Sequence, residues 1–446
     1  MKTQHTLKTL SALILGLGAM GVAHGSGFQL LEQNGSGLGS AYAGSAAIGE
    51  NASANYFNPA SITLLPGMNV SAGAVAIKPS FKFSNDGSTS PLGTAATGGN
   101  GGDAGSWAAV PNAHFTWEVN PRVWLGLSVG APFGLMTDYE EGWAGRYHSE
   151  KFSIESINVN PSIAFKATDT LSFGVGVNWI QLDADYRKAV PGVMPAGGPG
   201  VPGYYGDLST KVTAKGDAWG WNAGILWQAT PDTRFGLSYR SKVKIDADGT
   251  TKISNRDINP SAGFGTGAGI VNALSGSFNA ETSVELPDTA IFSVVHQLND
   301  RWTLLGDVSW TGWSSIPRLT INTAHPNPAA QTSSLDLRFK DSWRVALGAH
   351  YRYSDAWTFK GGVAWDQSPV RDDAYRPSAL PDNDRYWLSL GAQYNFSKNT
   401  SIDVGYTHLF VKSTSVNNAS SKEAGVLKGD YDSSGDLIGV QFSHRF

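Results

Sequence analysis

Residues 386–396 read Tyr386-Trp387-Leu388-Ser389-Leu390-Gly391-Ala392-Gln393-Tyr394-Asn395-Phe396, and their alternation decides the fold. Successive side chains of a strand point to opposite faces. Tyr386, Leu388, Leu390, Ala392, Tyr394 and Phe396 therefore share one face, and Ser389, Gly391, Gln393 and Asn395 the other. The pattern recurs upstream. Trp343, Val345, Leu347, Ala349, Tyr351 and Tyr353 oppose Ser342, Arg344, Gly348, His350 and Arg352, while Trp357, Phe359, Val363 and Trp365 oppose Thr358, Lys360 and Gly362. Alternation alone also suits a soluble sandwich. An apolar face flanked by aromatics, set against a polar or glycine face, is what lipid outside and water inside demand of a barrel strand.

The connections point the same way. Short turns fall at Asn120-Pro121, Thr168-Asp169, Pro231-Asp232, Asn299-Asp300, Ser354-Asp355 and Lys398-Asn399, all built from turn-forming residues. Trp124, Phe173, Phe235, Trp302 and Trp357 follow them closely and read as an interfacial girdle at one membrane face. Long Gly/Ser/Pro/Asp-rich stretches lie between, at about 84–106, 136–150, 187–216, 249–280, 315–336, 367–383 and 413–434. Short turns on one side and long loops on the other are the asymmetry of outer-membrane barrels. Six turns and seven loops join fourteen strands over 68–446, with both barrel ends on the periplasmic side. The last strand alternates Ile438, Val440, Phe442, His444 and Phe446, and its aromatic terminus suits the barrel-insertion machinery, an expected partner during assembly.

Residues 1–25 read as a cleaved signal peptide. Lys2 and Lys8 begin it, Leu10 to Val22 is apolar but too short to span a bilayer as a helix, and Ala23-His24-Gly25 supplies small residues for cleavage. Charged residues form only 16% of the chain against roughly 25% in ordinary domains, while there are 53 Gly, 15 Trp, 15 Tyr and 19 Phe. No Cys is present, which excludes disulfide and thiolate chemistry. The net charge of −4 gives no footing for nucleic acid. These features place the chain in a bacterial outer membrane, surrounded by lipid and lipopolysaccharide, with no cofactor and no metal.

Residues 26–67 do not alternate. A barrel of fourteen strands leaves an open lumen unless something fills it. The segment is expected to fold inside as a plug, since Phe28, Leu30, Leu31, Tyr56 and Phe57 would sit badly in a loose periplasmic tail. Its Ser26-Gly27-Phe28-Gln29-Leu30, Ser36-Gly37-Leu38-Gly39, Ala41-Tyr42-Ala43-Gly44 and Asn58-Pro59-Ala60 resemble the hatch of the FadL family of long-chain fatty acid transporters. Pro111-Asn112-Ala113-His114-Phe115, Gly220-Trp221-Asn222-Ala223-Gly224-Ile225-Leu226, Tyr239-Arg240-Ser241, Val243-Lys244-Ile245-Asp246, Phe339-Lys340-Asp341, Asp384-Arg385 and Trp387-Leu388-Ser389 are similar to that family as well. The resemblance implies an all-β, fourteen-stranded transmembrane barrel importing long-chain fatty acids or other hydrophobic molecules. It implies capture at outer loops, transfer to an inner pocket, movement of the hatch and sideways release at a kinked third strand. Phe28, Asn58, Pro59 and Ala60 are then the hatch residues of interest, with Phe28 also meeting substrate.

The third strand, roughly 124–135, places Leu125, Leu127, Val129, Ala131, Phe133 and Leu135 on one face and Gly126, Ser128, Gly130, Pro132 and Gly134 on the other. Proline cannot donate to a ladder and belongs at edges or bulges, and a closed barrel has no edge. Gly130, Pro132 and Gly134 mark either a lateral gap or merely the strand's outer end; the resemblance favours the gap. Moving about fourteen methylenes from hydrocarbon into water costs about 11 kcal/mol at about 0.8 kcal/mol each, which release into the bilayer avoids.

A fatty acid also carries a carboxylate, which needs a basic partner in a low-dielectric site. By parity Lys340 and Arg344 face the lumen on the tenth strand, and Arg385 and Trp387 on the twelfth, roughly 10 Å away at the usual strand spacing. These residues either bind the carboxylate or brace the wall through Asp366 on the strand between. One departure from the family is plain. Its third and fourth outer loops carry helices that form a capture groove, whereas Pro191, Pro195, Pro199 and Pro202 forbid a regular helix in the third loop here. Only about 268–274 in the fourth could form one.

Other readings are weaker. Gly35-x-Gly37-x-Gly39 lacks the βαβ setting of a nucleotide loop. Asp246/Asp248 and Asp430/Asp432/Asp436 read as solvated loop charge before calcium ligands. A barrel-borne lipase needs a nucleophile oriented by a base, and the His residues 114, 148, 296, 325, 350, 408 and 444 are scattered. A general porin would lack the apolar plug. Import of aromatic hydrocarbons by the same architecture stays open beside fatty acid uptake.

Overall fold

The computed structural model describes residues 27–195, 202–261, 266–421 and 423–446. The expected leader 1–25 and Ser26 lie outside the described residues, as does Pro199. Fourteen strands close into one antiparallel barrel. They are β1 (Met68–Asn85), β2 (Ala108–Asn120), β3 (Val123–Gly130, then Gly134–Asp138), β4 (Lys151–Lys166), β5 (Leu171–Pro195), β6 (Pro202–Thr230) and β7 (Thr233–Arg240, then Val243–Asn255). There follow β8 (Gly276–Leu286, then Thr289–Gln297), β9 (Trp302–Thr311, then Arg318–Thr323), β10 (Thr332–Asp336, then Ser342–Arg352), β11 (Trp357–Asp366), β12 (Arg385–Ser397), β13 (Thr400–Val411, then Thr414–Asn418) and β14 (Leu427–Arg445). β14 pairs back onto β1, from Asn69↔Arg445 to Asn85↔Gly429, so the first and last strands present no free edge.

The alternation of β12 is clearest in its outer half, where Tyr386, Leu388 and Leu390 are exposed to lipid while Trp387 and Ser389 are buried; residues 391–395 are all half-buried. On β5 and β6 the outward face runs from Phe173 and Trp227 to Trp179 and Trp219, then turns charged at Asp183, Asp185, Lys211 and Lys215, which pair with one another. Charge of that density does not lie in hydrocarbon. Those residues stand above the membrane.

Four expectations need correction. The stretches 187–216, 249–280, 315–336 and 413–434 are not loops throughout. β5 and β6 pair almost to their tips, Pro195↔Pro202, with a register shift between Pro191 and Val193 where proline withholds its N–H. β7, β8, β9, β10, β13 and β14 likewise extend outward as paired strands. A helix, α1 (Thr266–Leu274), stands where the fourth outer loop allowed one. The acidic groups Asp246/Asp248 and Asp430/Asp432/Asp436 therefore sit on strands β7 and β14. Trp124 is no girdle residue: it points inward, buried, and its indole N–H donates to Leu65 O at 2.9 Å.

The fourth correction concerns β3. Gly130 pairs with Asn158 but Gly134 pairs with Glu155, so four steps on β3 match three on β4. One extra residue inverts the alternation, because side chains repeat every two residues. Ala131, Phe133 and Leu135 accordingly lie buried instead of continuing the lipid face of Leu125 and Leu127.

Residues 27–65 pack against the inward face of the wall in short turns: 3-10 turns at Leu38–Ser40 and Pro59–Leu64, and one helical turn at Ala54–Phe57. Inward glycines make the seats. A side chain at Gly174, Gly236, Gly362 or Gly391 would collide with the backbone of Ala60, Ala46, Ser40 or Gly39 respectively. The sequence reading took such glycines as a water-facing lining. They face main chain.

Candidate functional site

Three features meet in the bore. The first is a row of charge on β10, β11 and β12, where the register sets Arg344 beside Asp366 and Asp366 beside Arg385. Arg385 is buried, donates to Asp382 at 2.8 Å and lies 3.6 Å from Asp366. Arg344 sits over the Trp387 ring at 4.8 Å and donates to Ala41 O at 2.6 Å. Ala41 and Tyr42 both have positive φ, 51° and 55°, a conformation costly for side chains with a Cβ and held only where surroundings enforce it. Arg344 is part of that enforcement. Glu32 is fully buried, with no hydrogen bond to either carboxylate oxygen. Burial pushes its carboxyl up to about 8 against the opposing pull of Arg385 and Arg344.

Lys340 is not in that row. It precedes the inner segment of β10, half-buried, with its backbone N–H on Pro369 O at 2.9 Å and, among the described residues, no ion pair. Parity had placed it on the strand, but the strand is interrupted between Asp336 and Ser342. Asp366 therefore serves Arg385, not Lys340.

The second feature ties residues 27–65 to the wall. Lys360 on β11 holds Asp403 at 2.9 Å, Glu50 at 3.1 Å and Ser36 O at 3.2 Å, and His350 approaches Glu50 at 2.8 Å. Asn58 donates to Ala46 O at 2.7 Å and to Ile225 O at 3.0 Å, and accepts from Ala60 N at 2.9 Å. It fits only because residue 224 is glycine; a side chain there would occupy the Asn58 amide position. Pro59 then sets the first turn of the 3-10 segment, where its missing N–H costs nothing.

The third feature is the break in β3. β2 pairs with β3 from Ala113↔Val129 down to Asn120↔Val123, and above Ala113 its residues 108–112 pair with β1 alone. Opposite that unpaired edge, Leu30 N donates to Pro132 O at 2.8 Å and Gly134 N donates to Phe28 O at 2.9 Å. Phe28 packs on Phe133 and Trp313, ring centroids 5.9 and 4.7 Å away. The start of the N-terminal segment thus lies on the break from inside, and its backbone supplies partners that the bulged strand lacks.

The model of outer membrane protein transport proteins (OMPP1/FadL/TodX) matches residues 17–446. The chain belongs to that family. It is 33% identical over 466 residues to the long-chain fatty acid transport protein of Escherichia coli K12, covering all of both chains. It superposes on the crystal structure of a Pseudomonas aeruginosa FadL homologue with a TM-score of 0.86, at 26% identity, over 94% of this chain and all of that one. The toluene transporter TbuX of Ralstonia pickettii shares the fold, with a TM-score of 0.66 at 20% identity over 94% of this chain and all of that one. The FadL-family resemblance drawn from short motifs thus holds over the whole length, and the chain is an outer-membrane protein.

Sequence reasoning missed buried Glu32 and several residues that hold this FadL-family bore together: Glu50, Lys360, Asp403, Asp307 and His114. Asp307 accepts from Ser45 and Ser293 at 2.9 and 2.8 Å, and His114 Nε2 meets Gln33 O at 3.0 Å. Alternation put Lys360 on the inward face, whereas Asp307, Asp403 and His114 were left unplaced although the same two-residue count applies to their strands. A buried charge on a strand whose other face meets lipid was the available signal, since such charges are paired.

Proposed function

We propose that this FadL-family outer-membrane transporter takes up long-chain fatty acids, with residues 26–67 acting as a hatch inside the barrel 68–446 after removal of the leader 1–25. One observation carries the reading. A single segment touches both ends of the path: its Ala41 carbonyl is held by Arg344 in the charged row, and its Phe28–Leu30 backbone lies on the break of β3. A carboxylate reaching Arg344 and Arg385 competes for the guanidinium that holds the strained Ala41-Tyr42 turn. Release of that turn loosens the segment, and withdrawal of Phe28 uncovers the break at Gly130, Pro132 and Gly134. The alkyl chain then leaves sideways into the bilayer, avoiding the cost of crossing water. Trp387 and Phe28 supply apolar surface to the chain, and Lys340, free of an ion pair, attracts the carboxylate on its way in.

The test is uptake of a radiolabelled long-chain fatty acid by cells that depend on this protein. Alanine at Lys340 or Arg385 lowers uptake several-fold while the barrel still assembles; unchanged uptake in both removes them from the path. The aromatic trio Phe28, Phe133 and Trp313 gives a second reading, import of aromatic hydrocarbons. Mass spectrometry of ligand carried through purification separates the two.

A further inference from the structure

Beside the charged row there is a second, uncharged set of polar groups, at the break itself. The register brings Asn158 of β4 next to Gly130 of β3. Asn112 of β2 immediately precedes Ala113, the outermost β2 residue paired to β3, so extending the Ala113↔Val129 register by one step puts it across from Gly130. Gly130 has no side chain, and its place is taken by Gln33 of the N-terminal segment, whose Oε1 lies where a Cβ would be. Three carboxamides, Asn112, Gln33 and Asn158, therefore stand in a row on the inner side of the last paired residue before the bulge. All three residues are buried. Gln33 Nε2 is spent on Leu30 O and Ala131 O, at 3.1 and 2.7 Å. Gln33 Oε1 and both side-chain polar atoms of Asn112 and of Asn158 have no hydrogen-bond partner among the described residues.

Five such atoms at one spot demand a reason, because a buried polar group without a partner costs free energy comparable to a lost hydrogen bond. They comprise two donors and three acceptors, and no charge. A carboxylate, which only accepts, could use no more than the two donors. A group that both donates and accepts would use both kinds. A fatty acid leaving for hydrocarbon must itself be neutral, since an ionised carboxylate in an apolar medium is prohibitively costly. We infer that Asn112, Gln33 and Asn158 form an exit subsite for the neutral headgroup of a long-chain acid, the protonated carboxyl, at the inner lip of the break. The inference rests on the sideways-release reading and specifies where the headgroup pauses in it.

The subsite and the release route are tested separately. Purified full-length protein is loaded with hexadecanoic acid bearing a diazirine at carbon 2 and irradiated, and the labelled segments are mapped. Label in 108–120 and 151–166, falling at least five-fold in Asn112→Leu/Asn158→Leu and in Gln33→Leu, supports the subsite. Heat-dependent migration of the barrel on gels identifies any variant that has not folded, and the hatch variant leaves the wall untouched. Label confined to the neighbourhood of Arg344 and Arg385, or unchanged by both variants, overturns it. Deletion of Ala131 restores the β3 register and should block uptake. Normal uptake by that variant refutes sideways release, whatever the label shows.

Discussion

Replacement of Asn58 by Ala should undock the N-terminal segment while leaving the barrel intact. The side chain is fully buried and makes three hydrogen bonds: to Ala46 O, which closes the segment on itself, to Ile225 O, which fixes it to β6, and from Ala60 N, which caps the Pro59–Leu64 turn. Alanine satisfies none of them. At a net value of about 1 kcal/mol each, the docked state loses about 3 kcal/mol. A factor of ten corresponds to about 1.4 kcal/mol, so the ratio of docked to undocked segment falls about 100-fold. The β6 and β7 ladders do not involve this side chain, and wall stability should be unchanged. Planar-bilayer recording reads the difference: rare current steps in the parent become frequent in Asn58→Ala. Gly224→Val should give the same phenotype with Asn58 in place, because a side chain at 224 displaces the Asn58 amide. A variant with parental current and parental hydrogen exchange over 27–65 would refute the assignment of Asn58 as the pin.

Lys360→Met leaves buried Asp403 and partly exposed Glu50 with a shared cation removed, at a cost of about 3–5 kcal/mol typical of a broken buried pair for Asp403; since Glu50 belongs to the N-terminal segment, current steps should increase, and Lys360→Met/Asp403→Leu should recover part of the loss. The Glu32 carboxyl, raised by burial above its ordinary 4.5 to about 8, favours the docked segment most fully below pH 4.5 and progressively less as pH rises to and through 8. Current steps should therefore grow commoner from pH 5 to 9 in the parent and stay level in Glu32→Gln, and the opposite slope would rule out that assignment. Trp124→Phe removes the bond to Leu65 O and should raise hydrogen exchange at 62–66 with little change in current.

Much of the wall was legible because two-residue alternation is a local property, read correctly from a single strand such as 386–396. The six short turns were legible for the same reason, each resting on two or three residues. What failed was anything that depended on counting across an irregularity. The inward turn of Phe133 and Leu135 follows from one extra residue between Gly130 and Gly134, and sequence alone shows the proline without the register of the strand it faces. Lys340 failed similarly, its parity interrupted before Ser342. The outer hairpins failed for another reason: Gly- and Pro-rich composition suggests loops, yet above the membrane a long hairpin needs only its neighbour's backbone.

The contents of the bore show the deeper limit of the one-dimensional reading. Polar and glycine positions were expected to face water, and one chemical alphabet serves two physical roles there. Glycines at 174, 236, 362 and 391 admit the backbone of the N-terminal segment, and Lys360, Asp307 and Asn160 are buried against or beside that backbone. Residues 27–65 could not be placed by period, since they follow the wall's contour in short turns and have no repeat of their own. Their placement depends on small residues on both sides, Gly39 against Gly391 and Ala46 against Gly236, which allow main chain to approach main chain. That interface joins an apolar cluster, in which Leu38, Tyr42 and Phe57 pack with Val75, Leu305 and Leu437 of the wall, to directional contacts such as the amide of Asn58, the ammonium of Lys360 and the guanidiniums of Arg234, Arg240 and Arg344. Competition for one directional bond can loosen the segment locally, whereas withdrawing it entire would expose the apolar cluster it shares with the wall. The guanidinium of Arg344 is the bond for which a fatty acid carries a competitor.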